Sequence, residues 1–481
     1  MAVILERLWD SGHAAYVVGG SLRDALLGRP AADWDVATDA PPERIQGLFP
    51  GSGYENRFGT VRVPVAVNGP GAATAPETAG VHDAVEVTTF RRDHTYGDHR
   101  RPDQVTFGHS LEEDLARRDF TINAIAWGRP ATGGEAHWAD PWQGREDLQR
   151  HLIRAVGEPA KRFDEDALRL LRAVRLAATL GFEIQPHTFA ALQASAGLIG
   201  YVSRERVGLE FGRLLTAKPP SRGLRLLEAG GLLAARFPLL AAQRGLAQDK
   251  IHGDDLWAHS LRTLDAATDM APHDPTLRLA ALLHDVGKPS TLHDGHFPGH
   301  DEEGARLATA FLEDLAFPRA EIVVVAALVR HHMFGYTADW SDAAVRRFMR
   351  RVGPDLLPRL LLLRRADDLG SGVSPAAGSV DELEVRVAAE LERHVPLGLA
   401  DLAVDGHDLM TALGRPPGPW LGRLLDRLLD SVVADPRRNA RDVLLASARA
   451  WASELAAEPK AGPIPTSTPD PPPAPTSEEH P

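Results

Sequence analysis

The chain has 481 residues, enough for two to four domains, a net charge of −13 and no cysteine. These features exclude disulfides and thiolate metal sites, leave His, Asp and Glu to hold any metal, and argue against indiscriminate polyanion binding, so an RNA ligand needs a local basic stripe. No apolar run reaches the roughly 18 residues that span a membrane, and Met1–Gly12, with Glu6 and Asp10 and no basic lead-in, reads as an amphipathic helix; a cytoplasmic protein without a membrane partner is expected.

In chain order, Tyr16–Val18 is a short apolar run suited to a buried strand, and Gly19-Gly20 breaks it. Glycines there let backbone N–H groups approach a phosphate, the helical stretch Ser21–Leu27 presents its N-terminus to an anion, and Arg23 adds a full positive charge. Asp33 and Asp35 are two apart, so on a strand both project from one face and can hold hard divalent cations. Residues 14 to 155 mix β-rich runs with helical segments, the pattern of an α+β domain. The Gly, Ala and Pro-rich stretch between Val67 and Val81 reads as a long hairpin loop. AVEVTTF places Glu86 on a sheet face, and a polar loop with four arginines follows it.

From Glu158 to about residue 250 the apolar spacing turns helical, with a stop at Gly181. Arg169, Arg172 and Arg175 follow one helical face and, with Lys161, Arg162, Arg204, Arg206 and Arg213, are candidates for the basic stripe. Asp166 and Arg169, three apart, are expected on one face. There the carboxylate can accept from an exocyclic amine and the guanidinium can donate to ring acceptors, which reads C or A and rejects G and U by polarity. On spacing alone the pair reads as a surface salt bridge. A second helical block from Leu256 holds most of the histidines, including the adjacent His284-Asp285, a doublet most useful at a helix end. Further helical pattern follows Pro396, and the Pro, Thr, Ser and Glu-rich tail from Pro459 cannot bury a core and is expected to be disordered.

The string Gly19, Gly20, Arg23, Asp24, Leu27, Gly28, Asp33 and Asp35 resembles the signature GGxxRDxxLGxxxxDxD of class II template-independent nucleotidyltransferases, the family of CCA-adding enzymes and bacterial poly(A) polymerases. The resemblance implies a polymerase β-like head with a mixed sheet over residues 1–155. All-helical parts follow: a neck at 156–250, an HD domain at 251–395 and a C-terminal region at 396–458. It implies Asp33, Asp35 and Glu86 as the catalytic carboxylates with Mg²⁺, and the loop from Arg91 to Arg101 as an element that switches specificity; that loop is full length, which argues against an enzyme adding only C. RRDFTINAIAW resembles the second family motif and implies Arg118, Asp119 and Asn123 in nucleotide binding, with Arg on triphosphate oxygens and Asp and Asn on ribose hydroxyls. The segment from Asp140 to Phe182 resembles the family's neck and makes Asp166, Arg169 and Arg172 nucleotide-binding. SRERVGLEFGRLL resembles the last motif, with Arg206 and Glu210 steadying the neck helices.

The order His259, His284-Asp285, Asp367 resembles the HD superfamily of metal phosphohydrolases. These four match its usual ligands, for a divalent transition metal or Mg²⁺, and His300 and His331 would extend the site towards phosphate or a second metal. The implied function is addition of CCA to tRNA 3′ ends from CTP and ATP. Alternatives are a poly(A) polymerase or A-adding enzyme, an HD phosphohydrolase whose head positions RNA, and a non-enzymatic RNA-binding module.

Overall fold

The computed structural model describes residues 1–31, 33–56, 59–64, 84–93, 105–108, 110–248, 253–372 and 379–456. The expected hairpin loop at 67–81, the arginine-rich loop beyond Asp93 and the tail from Pro459 lie outside these residues. The chain divides into two units, Met1–Gly335 with Leu356–Val380, and Tyr336–Asp355 with the described residues from Asp381 onward.

The first unit opens with an α+β arrangement. Seven strands, β1 (Ala15–Val18), β2 (Asp35–Thr38), β3 (Gly53–Asn56), β4 (Thr60–Pro64), β5 (Ala84–Thr89), β6 (Ala126–Arg129) and β7 (His137–Ala139), lie in the order β3-β4-β5-β2-β1-β6-β7. The sheet is mixed: β2 and β5 run parallel, with Asp35 opposite Glu86, and the other neighbours are antiparallel. β1 is buried along its whole length, as its unbroken apolar run requires. One face packs Tyr16, Val18, Ala37 and Ala126 against Phe90, Leu111, Leu115 and Val156. The helix Ala2–Asp10 buries Ile4, Leu5 and Leu8, and Trp9 Nε1 donates to the carbonyl of Ala15 at 3.1 Å.

Two local expectations are corrected here. Asp33 does not share a strand with Asp35, because β2 begins at Asp35 and the Ser21 hydroxyl donates to the backbone carbonyl of Asp33, an acceptor that a longer ladder would use. The helix after β1 spans Gly19–Leu26, so the glycine pair forms its first turn instead of preceding it.

Helices then take over: Pro159–Glu165, Leu168–Leu180, Pro186–Ser195, Arg204–Leu214 and Ser221–Ala229. Leu168–Leu180 stops at Gly181, whose φ of +76° is the left-handed value that glycine adopts without steric cost. Asp166 is extended between the first two of these helices, and its carboxylate accepts from the Leu168 N–H at 3.1 Å. This side-chain bond starts a new helix after Asp166. Asp166 and Arg169 therefore do not lie on one helical face, as their spacing had implied.

The histidine block is built on Leu256–Met270, Pro275–Leu283, His300–Asp314, Arg319–His331 and Leu357–Gly370. Asp255 and Asp274 cap the first two, accepting from the N–H groups of Ala258 and Leu277 at 2.9 and 3.0 Å. The first and last cross closely at Gly370, where a Cβ would lie 2.2 Å from Thr263 Oγ1. The second unit packs Leu424, Leu428, Val432 and Leu444 from the helices Pro419–Ala434 and Arg441–Ala456. No helix among the described residues is long and apolar enough to cross a membrane.

Candidate active site

The end of β1, the start of β2 and the helix Leu168–Leu180 border one polar cleft of about 750 Å³. It gathers Gly19, Gly20, Arg23, Asp33 and Asp35 with Arg118, Asp119, Asn123, Asp166, Arg169 and Arg172, residues separated by up to 153 positions in sequence. Glu86 is brought alongside by the parallel pairing of β5 with β2 and is exposed. Gly19 has a φ of +82°, and a Cβ there would sit 2.8 Å from Asp35 Oδ2 and 3.2 Å from an Arg118 nitrogen, so only glycine lets this turn approach the carboxylate.

Asp35 is short of positive charge. Burial pushes its carboxyl up, Arg118 opposes this, and Glu86 and Asp33 raise it further, from 3.8 to about 6. Asp33 and Asp35 line the cleft and Glu86 lies opposite Asp35 on the neighbouring strand; carboxylate oxygens of this kind suit a hard cation such as Mg²⁺.

The basic wall is held by carboxylates. Arg23 donates to Asp24 at 2.8–2.9 Å and to Asn123 Oδ1 at 2.7 Å. Arg118 and Arg117 are both anchored by buried Asp114, at 3.2 and 2.6 Å. Arg169 donates to Glu165 at 2.8 Å and to the Arg117 carbonyl at 2.9 Å, while Asp166 accepts from Arg206 at 2.8 Å. Arg175 donates to Glu210 at 2.6 Å, within 4.0 Å of Arg172 as well.

Asp119 is placed differently from the expectation that it meets ribose. It is buried, its Oδ1 accepts from the Phe120 N–H at 2.8 Å and from Asn123 at 3.0 Å, and its Oδ2 accepts from Arg172 at 2.8 Å. Both oxygens are thus engaged in tying the helix Leu168–Leu180 to the sheet domain. Burial opposes charge on Asp119, but Arg172, Asn123 and Arg169 outweigh it and hold the carboxyl well below the usual range. Sequence reasoning missed Asp114 and Glu165 as anchors, although their spacing of three or four from the arginines was available.

The second constellation sits among the helices of residues 256–370. His259, His284 and Asp367 converge, and so do Asp285, His300 and His332, all of them buried. His284 occupies the end of the helix Pro275–Leu283, as the doublet's geometry suggested. His332 enters the cluster in place of His331: it follows the last helical residue of Arg319–His331, is 2 % exposed, and its Nδ1 donates to the Val329 carbonyl at 2.7 Å. Asp367 faces the cluster, while Asp368 pairs with Arg364 at 3.0 Å. Burial disfavours charge on His284, yet Asp285 and Asp367 push it up to about 10. Burial lowers His300. Lys288, also unforeseen, donates to Asp285 Oδ2 at 2.6 Å and to Gln248 at 2.8 Å. Imidazole and carboxylate donors without thiolate fit a divalent transition metal.

Comparison with known proteins gives family matches over both regions. Residues 15–154 match the poly(A) polymerase head domain, 181–244 the probable RNA and SrmB-binding site of polymerase A, and 256–371 the HD domain. The CCA-adding enzyme of Geobacillus stearothermophilus is 34% identical over 464 residues, covering 92% of this chain and 94% of that protein. That of Enterococcus faecalis is 32% identical over 468 residues, covering 93% and 95%. A crystal structure of the Bacillus stearothermophilus CCA-adding enzyme in complex with CTP matches with a TM-score of 0.68 at 30% identity, over 94% of this chain and 97% of that one. With its glycine turn, Asp33, Asp35 and arginine wall in one cleft, and relatives of this extent, the chain belongs to the CCA-adding enzyme family of tRNA nucleotidyltransferases.

Proposed function

We propose that the protein adds C, C and A to the 3′ end of tRNA, using CTP and ATP without a nucleic-acid template. The observation that carries this reading is the single cleft in which the phosphate-binding turn, the acidic centre and the base-facing pair Asp166 and Arg169 meet. Relatives named CCA-adding enzymes, one solved with CTP and another with ATP, support it.

In this reading the terminal hydroxyl of tRNA attacks the α-phosphate and pyrophosphate leaves. Asp33, Asp35 and Glu86 would hold Mg²⁺, which supplies charge neutralisation of the triphosphate and acidification of the attacking hydroxyl. Arg23 and Arg118 hold triphosphate oxygens near the N-terminus of the helix Gly19–Leu26. Asp166, steadied by Arg206, accepts from the amine of cytosine or adenine, and Arg169, steadied by Glu165, donates to the ring. Guanine and uracil turn an oxygen towards Asp166 and are rejected.

His259, His284, Asp285 and Asp367 would hold a separate divalent ion, which would supply an activated water for phosphoester hydrolysis. The two activities separate by substitution. Asp33→Ala is expected to abolish transfer of labelled CTP to a tRNA transcript lacking CCA, while Asp367→Ala, which lies outside the cleft, leaves transfer by the folded variant largely intact. Equal transfer by Asp33→Ala would refute the assignment of the head.

A further inference from the structure

The sheet of the head carries a second pocket on the face away from the cleft. Val17 of β1 lies opposite Val36 of β2 and Trp127 of β6, and Trp127 lies opposite Trp138 of β7, so these side chains share one face. Trp34, two residues before Val36, continues that face, whereas Asp35, opposite Val18, belongs to the other. The helix Ala2–Asp10 contributes Leu5 and Trp9, and together these residues enclose about 380 Å³.

Chain neighbours divide between the two sites. Val17, Leu22 and Trp34 line the pocket, while Gly19, Arg23, Asp33 and Asp35 line the cleft. The Trp34 carbonyl accepts the Glu86 N–H at 3.1 Å, so Trp34 ties together the segments that carry Asp33, Asp35 and Glu86.

The lining defines the ligand. Four of the chain's nine tryptophans border the pocket and all four stay partly exposed, Trp138 to 38%. Indole faces stack on flat rings. Among the described residues no Lys or Arg side chain lines the pocket and Glu6 is its one charged side chain, so an anion such as a nucleoside triphosphate finds no partner there. A cation is disfavoured too. Arg129 stands over the Trp9 ring at 4.8 Å and Arg145 over the Trp138 ring at 4.9 Å, and each draws on the electron density that a second cation would need. The volume falls within the range of small-molecule sites, about 300–1,000 Å³.

We propose that this pocket binds an uncharged planar aromatic molecule and that its occupancy slows CMP transfer. The site stands on its lining alone, and the effect on transfer rests on reading Asp33, Asp35 and Glu86 as the catalytic carboxylates. Close-packed structure passes displacement on, so a ligand pressed against the Trp34 ring shifts the carboxylates on either side of it.

The probe is indole. Full-length protein with isotope-labelled tryptophan side chains is titrated to millimolar indole, and the side-chain N–H resonances are followed by NMR after assignment from single Trp→Phe variants. Signals of Trp9, Trp34, Trp127 and Trp138 should move along one saturating curve while the other five stay. Indole acetate, the same ring with a carboxylate, should bind more weakly. Trp138→Ala should weaken indole binding about threefold to tenfold, the worth of one aromatic contact, and raise the indole concentration that halves CMP transfer by the same factor. No saturable shift, or shifts confined to other tryptophans, would overturn the site. Saturable shifts of these four with undiminished transfer would overturn the effect on the cleft. Protein that transfers no CMP even without indole would refute the proposed function and that effect with it, while the shifts still decide the site. If Trp138→Ala fails to fold, the shifts and the inhibition of the parent decide the matter.

Discussion

Replacing Asp35 by Asn is expected to make the metal-free protein more stable and the enzyme inactive. Asp35 has its carboxyl raised from 3.8 to about 6, first by burial and then by Glu86 and Asp33 against the pull of Arg118. Between those two values the folded chain holds a proton that the unfolded chain has released, so stability falls as pH rises through this window. Above about pH 6 the full penalty is present, on the order of 3 kcal/mol at most. Asn keeps the shape and removes the charge. The melting temperature of Asp35→Asn at pH 7.5 without Mg²⁺ should exceed that of the parent, the gap should vanish near pH 4, and added Mg²⁺ should raise the parent more than the variant. If Asp35 holds Mg²⁺ as proposed, transfer of CMP should drop by at least about 10–100-fold, the loss that removal of a mere partner of a metal ligand causes. A less stable variant at neutral pH would contradict the picture of a buried Asp35 carboxylate repelled by Glu86 and Asp33.

The opposite sign is expected at Asp119. Its carboxylate is buried, is bonded by Arg172, Asn123 and the Phe120 N–H, and is held well below the usual range because Arg172 and its companions outweigh the cost of burial. Asp119→Ala leaves the Arg172 guanidinium with more distant carboxylates, Glu210 at 4.0 Å and Asp166. Breaking a fully buried pair from one side costs roughly 3–5 kcal/mol, and because the Arg172 side chain is 34% exposed the loss here should lie below that range. The folded-state value of Asp119 is depressed, so its contribution is present above the unfolded value of about 4 and is lost as pH falls below it. Thermal denaturation should therefore show a large deficit for the variant at pH 7 that narrows towards pH 3. Because Arg172 lines the cleft, kcat/KM for CTP should fall as well. A variant that melts with the parent at pH 7 would show that the tie between Asp119 and the helix Leu168–Leu180 has no energetic weight.

These two residues also show where sequence was readable. Gly19, Gly20, Arg23 and Asp35 lie close enough in the chain for strand and helix periodicity to place them together, and the α+β head and helical remainder follow from the same periodicities. The partition of charge did not follow. Arg169 is held by Glu165, Asp166 by Arg206, and Asp119 by a residue 53 positions away; such pairings depend on how helices dock. Spacing alone also placed Asp166 and Arg169 on one helix, whereas a side-chain bond from Asp166 to the Leu168 N–H interrupts it. His331 and His332 were indistinguishable in sequence because the register of a helix end fixes which one turns inward. The structure selects His332.

In the proposed function, side chains in one cleft choose cytosine and adenine without a template. The most direct measurement is incubation of the protein and Mg²⁺ with tRNA transcripts ending before CCA, after C and after CC, each with all four nucleotides, followed by sequencing of the added residues. The expected products gain CCA, CA and A and then stop. Unlimited addition of A, or incorporation of G or U at comparable rates, would contradict the account.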